Sequence, residues 1–457
     1  MTVQEYRTLD PTTGKLVETY PLATDAQVEE AIARACSAFA AWRRAGHDER
    51  AALLRAVADA LQSCAAEHAA VMALEMGKPL VEGEAEAEKC AWACRYYADE
   101  AAGFLAPRPH QSDGSQAHVR HDPLGPILAI MPWNFPYWQV FRFAAPALAA
   151  GNVALLKHAP NTPRCALEIE RLFAVAGAPE GLFQSLFLSN EQAAAVIAHD
   201  GVRGVTLTGS TRAGRAVASA AGEALKPMVM ELGGSDPFIV FADAAVDEAV
   251  KVGVASRCLN GGQSCIAAKR FLVERKVYDR YVAAFVAAIE AKPFGDPRDR
   301  ANEIGPMARQ DLRDHLARQV ERAVAAGAEV RCGGEVPDGD GFFYPPTVLT
   351  GLSPEAEAAQ EEIFGPVATI YAFDDEDEAA AIANATPYGL GASLWTSDRA
   401  RAERLIPRLD SGSVFVNGLV KSDPRLPFGG VKDSGFGREL AREGILEWVN
   451  VKTVWIK

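Results

Sequence analysis

Gly204-Val205-Thr206-Leu207-Thr208-Gly209-Ser210-Thr211-Arg212-Ala213-Gly214 passes from an apolar strand into a helix, with a glycine and a serine at the join. Backbone N–H groups and the Ser210 hydroxyl at a helix N-terminus suit a phosphate. The spacing, G-x-x-x-x-G, is neither the usual dinucleotide fingerprint nor a P-loop, so spacing alone carries little weight. The context carries more. Upstream, Ile127-Leu128-Ala129-Ile130, Val153-Ala154-Leu155-Leu156 and Leu182 to Leu188 read as short strands. Helices near 139–149, 163–175 and 191–198 follow them in turn, and Met228-Val229-Met230 closes the series after a helix over 212–220. Alternation of this kind predicts a buried parallel sheet with right-handed crossovers, which binds nucleotides at its carboxyl edge.

Working outward, residues 24 to about 106 read as helical. Thr24 with Gln27 forms a capping box, and Val28, Ile32, Ala35 and Phe39 mark one apolar face. A second helix is predicted from Asp48 to Gly77, a third from Val81 to Leu105, and a polar loop over 108–115. Downstream, strands at 238–241, 271–273, 367–372 and 412–416 alternate with helices near 244–257, 277–291, 309–326, 375–384 and 398–408. The tail over 450–456 reads as an exposed strand that would pair with another subunit.

At 457 residues, with 49% hydrophobic and 23% charged side chains, the chain has the composition of a globular protein of two or three domains. A net charge of −14 argues against nucleic acid or an anionic membrane as partner. The eight cysteines show neither a disulfide framework nor zinc spacing. The first residues lack a basic start and an apolar run, and no stretch approaches ~18 uncharged apolar residues, so a cytoplasmic protein is expected.

Four groups could carry chemistry. Cys265 ends Asn260-Gly261-Gly262-Gln263-Ser264-Cys265, where two glycines allow a tight turn that presents a thiol; a small buried hydrophobe is the commoner reading of such a cysteine. Glu231, in Met230-Glu231-Leu232-Gly233-Gly234, stands at a strand end as a general base would, or as a cap or ion-pair member. Asn134, in Pro132-Trp133-Asn134-Phe135-Pro136, is a candidate oxyanion donor or a turn asparagine. Lys157 ends its strand, where it would grip ribose hydroxyls or sit solvated in a loop. A cysteine acyltransferase or hydrolase would share the thiol, base and oxyanion donor but needs no dinucleotide. A non-enzymatic scaffold would need none of the four intact.

Taken together and in this order, the motifs resemble those of the aldehyde dehydrogenase superfamily over nearly the whole chain. Pro132 to Pro136, Thr208-Gly209-Ser210, Glu231 to Gly234, Gly262 to Cys265, Glu362-Ile363-Phe364-Gly365-Pro366 and Pro427-Phe428-Gly429-Gly430-Val431-Lys432 carry the likeness. The resemblance implies an α/β fold with a Rossmann-like parallel-sheet cofactor domain (1–106 and 124–232), an α/β catalytic domain (233–433) and a small β oligomerisation arm (107–123 and 434–457). It implies that Cys265 attacks the aldehyde, Asn134 and the Cys265 N–H hold the oxyanion, and Glu231 activates water. Trp133, Lys157, Gly209, Ser210, Glu362 and Phe364 would then line the NAD or NADP site. The assembly would be a homodimer or homotetramer, with 117–121 and the C-terminal strand as interface candidates.

Within the superfamily, Leu156 to Asn161 and Glu231 to Phe238 are most similar to the short succinate-semialdehyde dehydrogenase branch. Its substrate carries a distal carboxylate, which calls for an arginine. Arg142, eight residues after Asn134, is the first candidate; Leu259 occupies the place of a second, with Arg257 or Arg425 as substitutes. An apolar pocket for several medium-sized aldehydes is the alternative. Pro160 stands where strictly NAD-dependent relatives place a glutamate, so NAD should work and NADP should be tolerated.

Overall fold

The computed structural model describes residues 5–457. Its first four residues, part of the segment read above for a leader, lie outside that range. Five strands form the parallel sheet expected from the alternation: Phe183–Ser185, Val153–Lys157, Pro126–Ile130, Gly204–Thr208 and Met228–Glu231, in that spatial order. Gly435–Phe436 adds a sixth, antiparallel, beside Met228–Glu231. The strands are buried on both faces, which is why they read as continuous apolar runs rather than alternating ones. The N-terminal helices Asp25–Trp42, His47–Ser63, Ala65–Met76 and Leu80–Phe104 pack with this sheet into one large apolar core. Thr24 caps the first of them: its hydroxyl accepts from Gln27 N, and Gln27 Oε1 accepts from Thr24 N. The second predicted helix is two helices, because Cys64 leaves the helical region at φ −115°, ψ 20° without a glycine or proline to signal the break.

The second sheet has seven strands, in the order Glu329–Cys332, Thr347–Thr350, Val367–Phe373, Arg270–Glu274, Pro237–Val240, Gly391–Trp395 and Ser413–Val416. Glu329–Cys332 runs antiparallel at one edge and the rest are parallel. The sequence reading missed three of these strands, and also the hairpin Glu5–Asp10 with Lys15–Pro21. Of these, Thr347–Thr350 follows two prolines that read as loop, and Lys15–Pro21 is almost wholly exposed and so lacks an apolar run.

The C-terminal strand Val449–Ile456 does not lack a partner, as the sequence suggested. It pairs antiparallel over eight positions with Gln116–Pro123 of its own chain, and Arg108–Pro109 continues that sheet. Its other edge is open, and Val451, Trp455 and Ile456 are each about half exposed there.

Candidate active site

Cys265 follows three successive left-handed residues: Asn260 (φ 56°), Gly261 (φ 61°) and Gly262 (φ 72°). Glycine at 262 is required twice over. Its φ disfavours any Cβ, and a Cβ there would overlap the Gly365 carbonyl group. The Glu362 to Pro366 motif is therefore packed directly on the cysteine loop. A Cβ at Gly234 would come within 2.6 Å of the Cys265 carbonyl oxygen, which places the Glu231 to Gly234 motif against the same loop. Lys269 secures the segment beyond the turn, donating to the carbonyls of Ser264 (2.9 Å), Cys265 (2.7 Å) and Ala267 (3.1 Å). A Gly262→Ala variant should lose about 2–4 kcal/mol of stability, the sum of left-handed strain and overpacking. Gly222→Ala, in a helix with open space around it, should gain a few tenths to about 1 kcal/mol. Thermal melting of both variants checks the contrast, which equal midpoints would remove.

Asn134 reaches the same loop. Its Nδ2 donates to the Gln263 carbonyl at 3.0 Å, leaving the second N–H of the amide free. Asn260 ties the two segments together from the other side: its Nδ2 donates to the carbonyls of Asn134 (2.7 Å) and Gln263 (3.1 Å). The Asn260 backbone N–H is held in turn by the Glu82 carboxylate. The buried imidazole of His158, lowered to about 4 by burial and so neutral, contacts the Pro136 carbonyl at 2.9 Å and steadies the Asn134 turn. Glu82, Asn260, Lys269 and His158 escaped the sequence reading as site residues. Asn260, in the glycine turn, and His158, inside the Leu156 to Asn161 motif, stood where a signal could have been sought.

Glu231 is 2% exposed, and neither carboxylate oxygen has a hydrogen-bond partner. Burial raises its pKa well above the ordinary carboxylate value, with Arg142 pulling down and Glu439 pushing up. The backbone leaves room for it only because of glycines. A Cβ at Gly429 would come within 2.8 Å of Glu231 Oε1, and one at Gly435, paired with Glu231 across the sheet edge, would overlap the Met230 carbonyl. Burial also pushes the Cys265 thiol up to about 12, and the Glu231 charge adds to that rise, so the two groups are in electrostatic reach.

The Cys265 side chain lines a cavity of about 180 Å³ whose walls are largely apolar, with Phe135, Trp138, Leu259, Ile266, Val420 and Phe428 among them. Of the three candidate arginines, only Arg142 lines it, and its charge is already answered: it ion-pairs with the buried Glu439 and lies 4.7 Å from the Phe428 ring centroid. Arg257 is a correction. It is wholly buried and donates to the Gly262 carbonyl at 2.6 Å, supporting the cysteine turn from behind. Arg425 is another: it grips Asp423 through two hydrogen bonds (2.9 and 2.7 Å) and does not line the cavity. The cations that do border the cavity besides Arg142 are Lys89 and Lys421.

A second cleft, about 310 Å³, opens at the carboxyl edge of the six-stranded sheet. Lys157, Ile130 and Leu207 come to it from strand ends, and Arg212, Ala213, Ala216 and Val217 from the helix that Ser210 caps. The Lys157 ammonium is mostly buried, is lowered to about 8 by that burial, and meets no carboxylate among the described residues. Two cations and no Asp or Glu line this cleft. A nucleotide bearing phosphates fits it in charge. Trp133 and Phe364 meet edge to face, ring centroids 5.7 Å apart. A Cβ at Gly209 would meet only Leu207, at an ordinary contact distance of 3.6 Å, and Glu362 accepts from Gly234 N at 3.0 Å. Among the described residues no group of acidic, histidine and cysteine side chains could hold a metal, and no helix is long and apolar enough to cross a membrane.

The family model described as the aldehyde dehydrogenase family matches residues 2–454. A probable NADP(+) succinate-semialdehyde dehydrogenase of Synechocystis sp. is 49% identical over 98% of this chain and 99% of its own length. The NADP(+) succinate-semialdehyde dehydrogenase 1 of Mycobacterium tuberculosis is 50% identical, with the same coverage. Among solved structures, succinic semialdehyde dehydrogenase from Streptococcus pyogenes, in complex with NADP+ as the cofactor, superposes with a TM-score of 0.96 at 39% identity over 99% of each chain.

Proposed function

The chain belongs to the aldehyde dehydrogenase family, and from that premise we propose that it oxidises succinate semialdehyde to succinate with NADP+. The observation that carries the reading is a thiol, Cys265, at the wall of a small apolar cavity, on a loop that Asn134 hydrogen-bonds and within electrostatic reach of Glu231, beside a carboxylate-free cleft that holds Lys157 and Arg212. In this reading the Cys265 thiolate attacks the aldehyde carbon, and the free N–H of Asn134 and the Cys265 N–H take the oxyanion. Lys157 and the Ser210 helix start in the second cleft would hold the dinucleotide, whose nicotinamide, reaching from there to Cys265, would supply the hydride acceptor. Glu231 takes a proton from the water that hydrolyses the thioester. Lys157 and Arg212 would hold the phosphate-bearing ribose, with Ser210 and Gly209 at the helix start and Trp133, Glu362 and Phe364 around the rest of the cofactor.

Residues 1–106 and 124–232 would bind the cofactor, 233–433 would carry the reaction, and 107–123 with 434–457 would join copies into a homodimer or homotetramer through the open edge at Val449–Ile456. A cytoplasmic location suits eight free thiols, one of which must stay reduced to react.

The assay mixes the protein with succinate semialdehyde and either cofactor and follows the reduced-nicotinamide absorbance. NADP+ should give kcat/KM at least roughly tenfold above NAD+, one well-formed phosphate contact being worth about that factor. Because burial pushes the Cys265 thiol up to about 12, each unit of pH above 7 frees more thiolate, and the raised Glu231 carboxyl shifts its ionisation in the same direction, so kcat/KM should climb toward alkaline pH. No signal with any aldehyde of a short panel would overturn the reading; a preference for NAD+ would overturn its cofactor half.

A further inference from the structure

With Leu259 at the place of the expected second arginine, the cavity needs another cation if its substrate ends in a carboxylate. The cations about it can be sorted by what already answers them. Arg142 has Glu439, Arg425 has Asp423, and Arg257 is turned into the cysteine loop. Lys78, packed over Phe135, has Glu86. Lys421 is exposed. Lys89, on the helix Leu80–Phe104, differs from all of these. The residue lines the cavity, is half-buried, and forms no ion pair among the described residues. Burial lowers it to about 8, which still leaves most of it charged at neutral pH.

Its surroundings hold it in place. The Lys89 ammonium lies 4.2 Å from the Trp138 ring centroid and donates to Ser422 Oγ at 2.8 Å. Ser422 Oγ also accepts from Trp138 Nε1 at 3.0 Å. With both acceptor positions occupied, the Ser422 proton is left to donate. Lys89 and Ser422 thus present a cation and a hydroxyl donor that share one anchor, arranged before any ligand arrives. The acidic groups nearby do not compete for them. Glu86 is engaged by Lys78 and by the N–H groups of Tyr137 and Trp138, Asp423 by Arg425, and Glu82 by Asn260 N. Burial raises Glu82 to about 7, so part of it is uncharged at neutral pH and its repulsion of an anion is reduced.

We propose that Lys89, seconded by the Ser422 hydroxyl, receives the distal carboxylate of the substrate in the cavity that Cys265 lines. An ammonium from the helical region takes the place of the absent arginine, while Leu259 packs against the methylene chain. The inference rests on the reading of the substrate as an aldehyde with a distal carboxylate.

The test compares succinate semialdehyde with butanal, which has the same chain length and no carboxylate, in wild type, Lys89→Gln and Lys89→Arg. The readout is the ratio of the two kcat/KM values. In Lys89→Gln this ratio should fall roughly 10- to 100-fold, as loss of a charged hydrogen bond implies, with the fall carried by KM for succinate semialdehyde. Lys89→Arg should keep most of it. The inhibition constants of succinate and butyrate, each with a carboxylate that can reach Lys89, should rise by a similar factor in Lys89→Gln, whereas that of neutral butyramide should not. An equal loss on both aldehydes, or a ratio that does not move while the wild type favours succinate semialdehyde, overturns the role of Lys89 alone. A wild type that does not favour the carboxylated aldehyde brings down the substrate reading, and this inference with it.

Discussion

Replacing Cys265 by alanine is expected to lower aldehyde oxidation by roughly 10⁴-fold or more while leaving cofactor binding close to that of the wild type, since removal of a nucleophile leaves no alternative covalent route. The structure explains why the two properties should separate. The thiol stands in the 180 Å³ cavity, whereas the cleft assigned to the cofactor is built from strand ends and a helix start of the other sheet. The loop itself should survive the change. Its shape comes from Asn260, Gly261 and Gly262 and from the three carbonyls held by Lys269, none of which uses the sulfur. Titration of protein fluorescence with NADPH, beside steady-state rates, reads both properties from one preparation. A residual rate within tenfold of wild type would remove Cys265 as the nucleophile. None of the other seven cysteines lines the 180 Å³ cavity, so substitution of Cys258, buried in the helix before the loop and pushed up to about 12, is the control with no chemical role.

The division between what could be read in the chain and what could not follows the range of the contacts. Parallel strands are continuous apolar runs of four or five residues, so their alternation with helices survives in one dimension. The glycine motifs are visible for a related reason: each marks a place where a Cβ would strike an atom of another motif, backbone in two cases and the Glu231 carboxylate in the third. Gly262 lies against Gly365, Gly234 against Cys265, and Gly429 against Glu231. Partners far apart in sequence left no such mark. Arg142 meets Glu439 nearly 300 residues later, and that pairing answers part of the charge it brings to the cavity. Lys89 reaches Ser422 across 333 positions. In sequence it was one charged residue on a long helix, with nothing to distinguish it from a solvated face. Arg257 and Arg425 failed as candidates because proximity to Cys265 or to a motif in sequence says nothing about the direction of a side chain. One points behind the turn and the other closes on its own neighbour.

Glu231→Gln should separate the two halves of the reaction. The amide keeps the shape of the side chain but cannot take a proton from water, and a general base typically contributes about 10²- to 10⁴-fold. Rapid mixing with NADP+ and succinate semialdehyde should therefore give a burst of NADPH close to one per Cys265, then a steady rate lower by that factor, with the acyl group trapped on the sulfur and visible as added mass. A burst lost together with the steady rate would move Glu231 to an earlier step, as the base that ionises Cys265; an unchanged steady rate would remove it from the mechanism. Stability should move in the opposite direction. Burial raises the Glu231 pKa in the folded protein, so above the unfolded pKa the folded chain holds more of this proton than the unfolded one and ionisation opposes folding. That cost is absent below the unfolded pKa and grows as pH rises above it. Glutamine has no proton to take up and fills the same space beside Gly429 and Arg142, so the variant should melt no lower than wild type at pH 6 and higher at pH 8. A carboxyl group kept buried with neither oxygen hydrogen-bonded is a destabilising group, and the role proposed for Glu231 as a base would account for its retention.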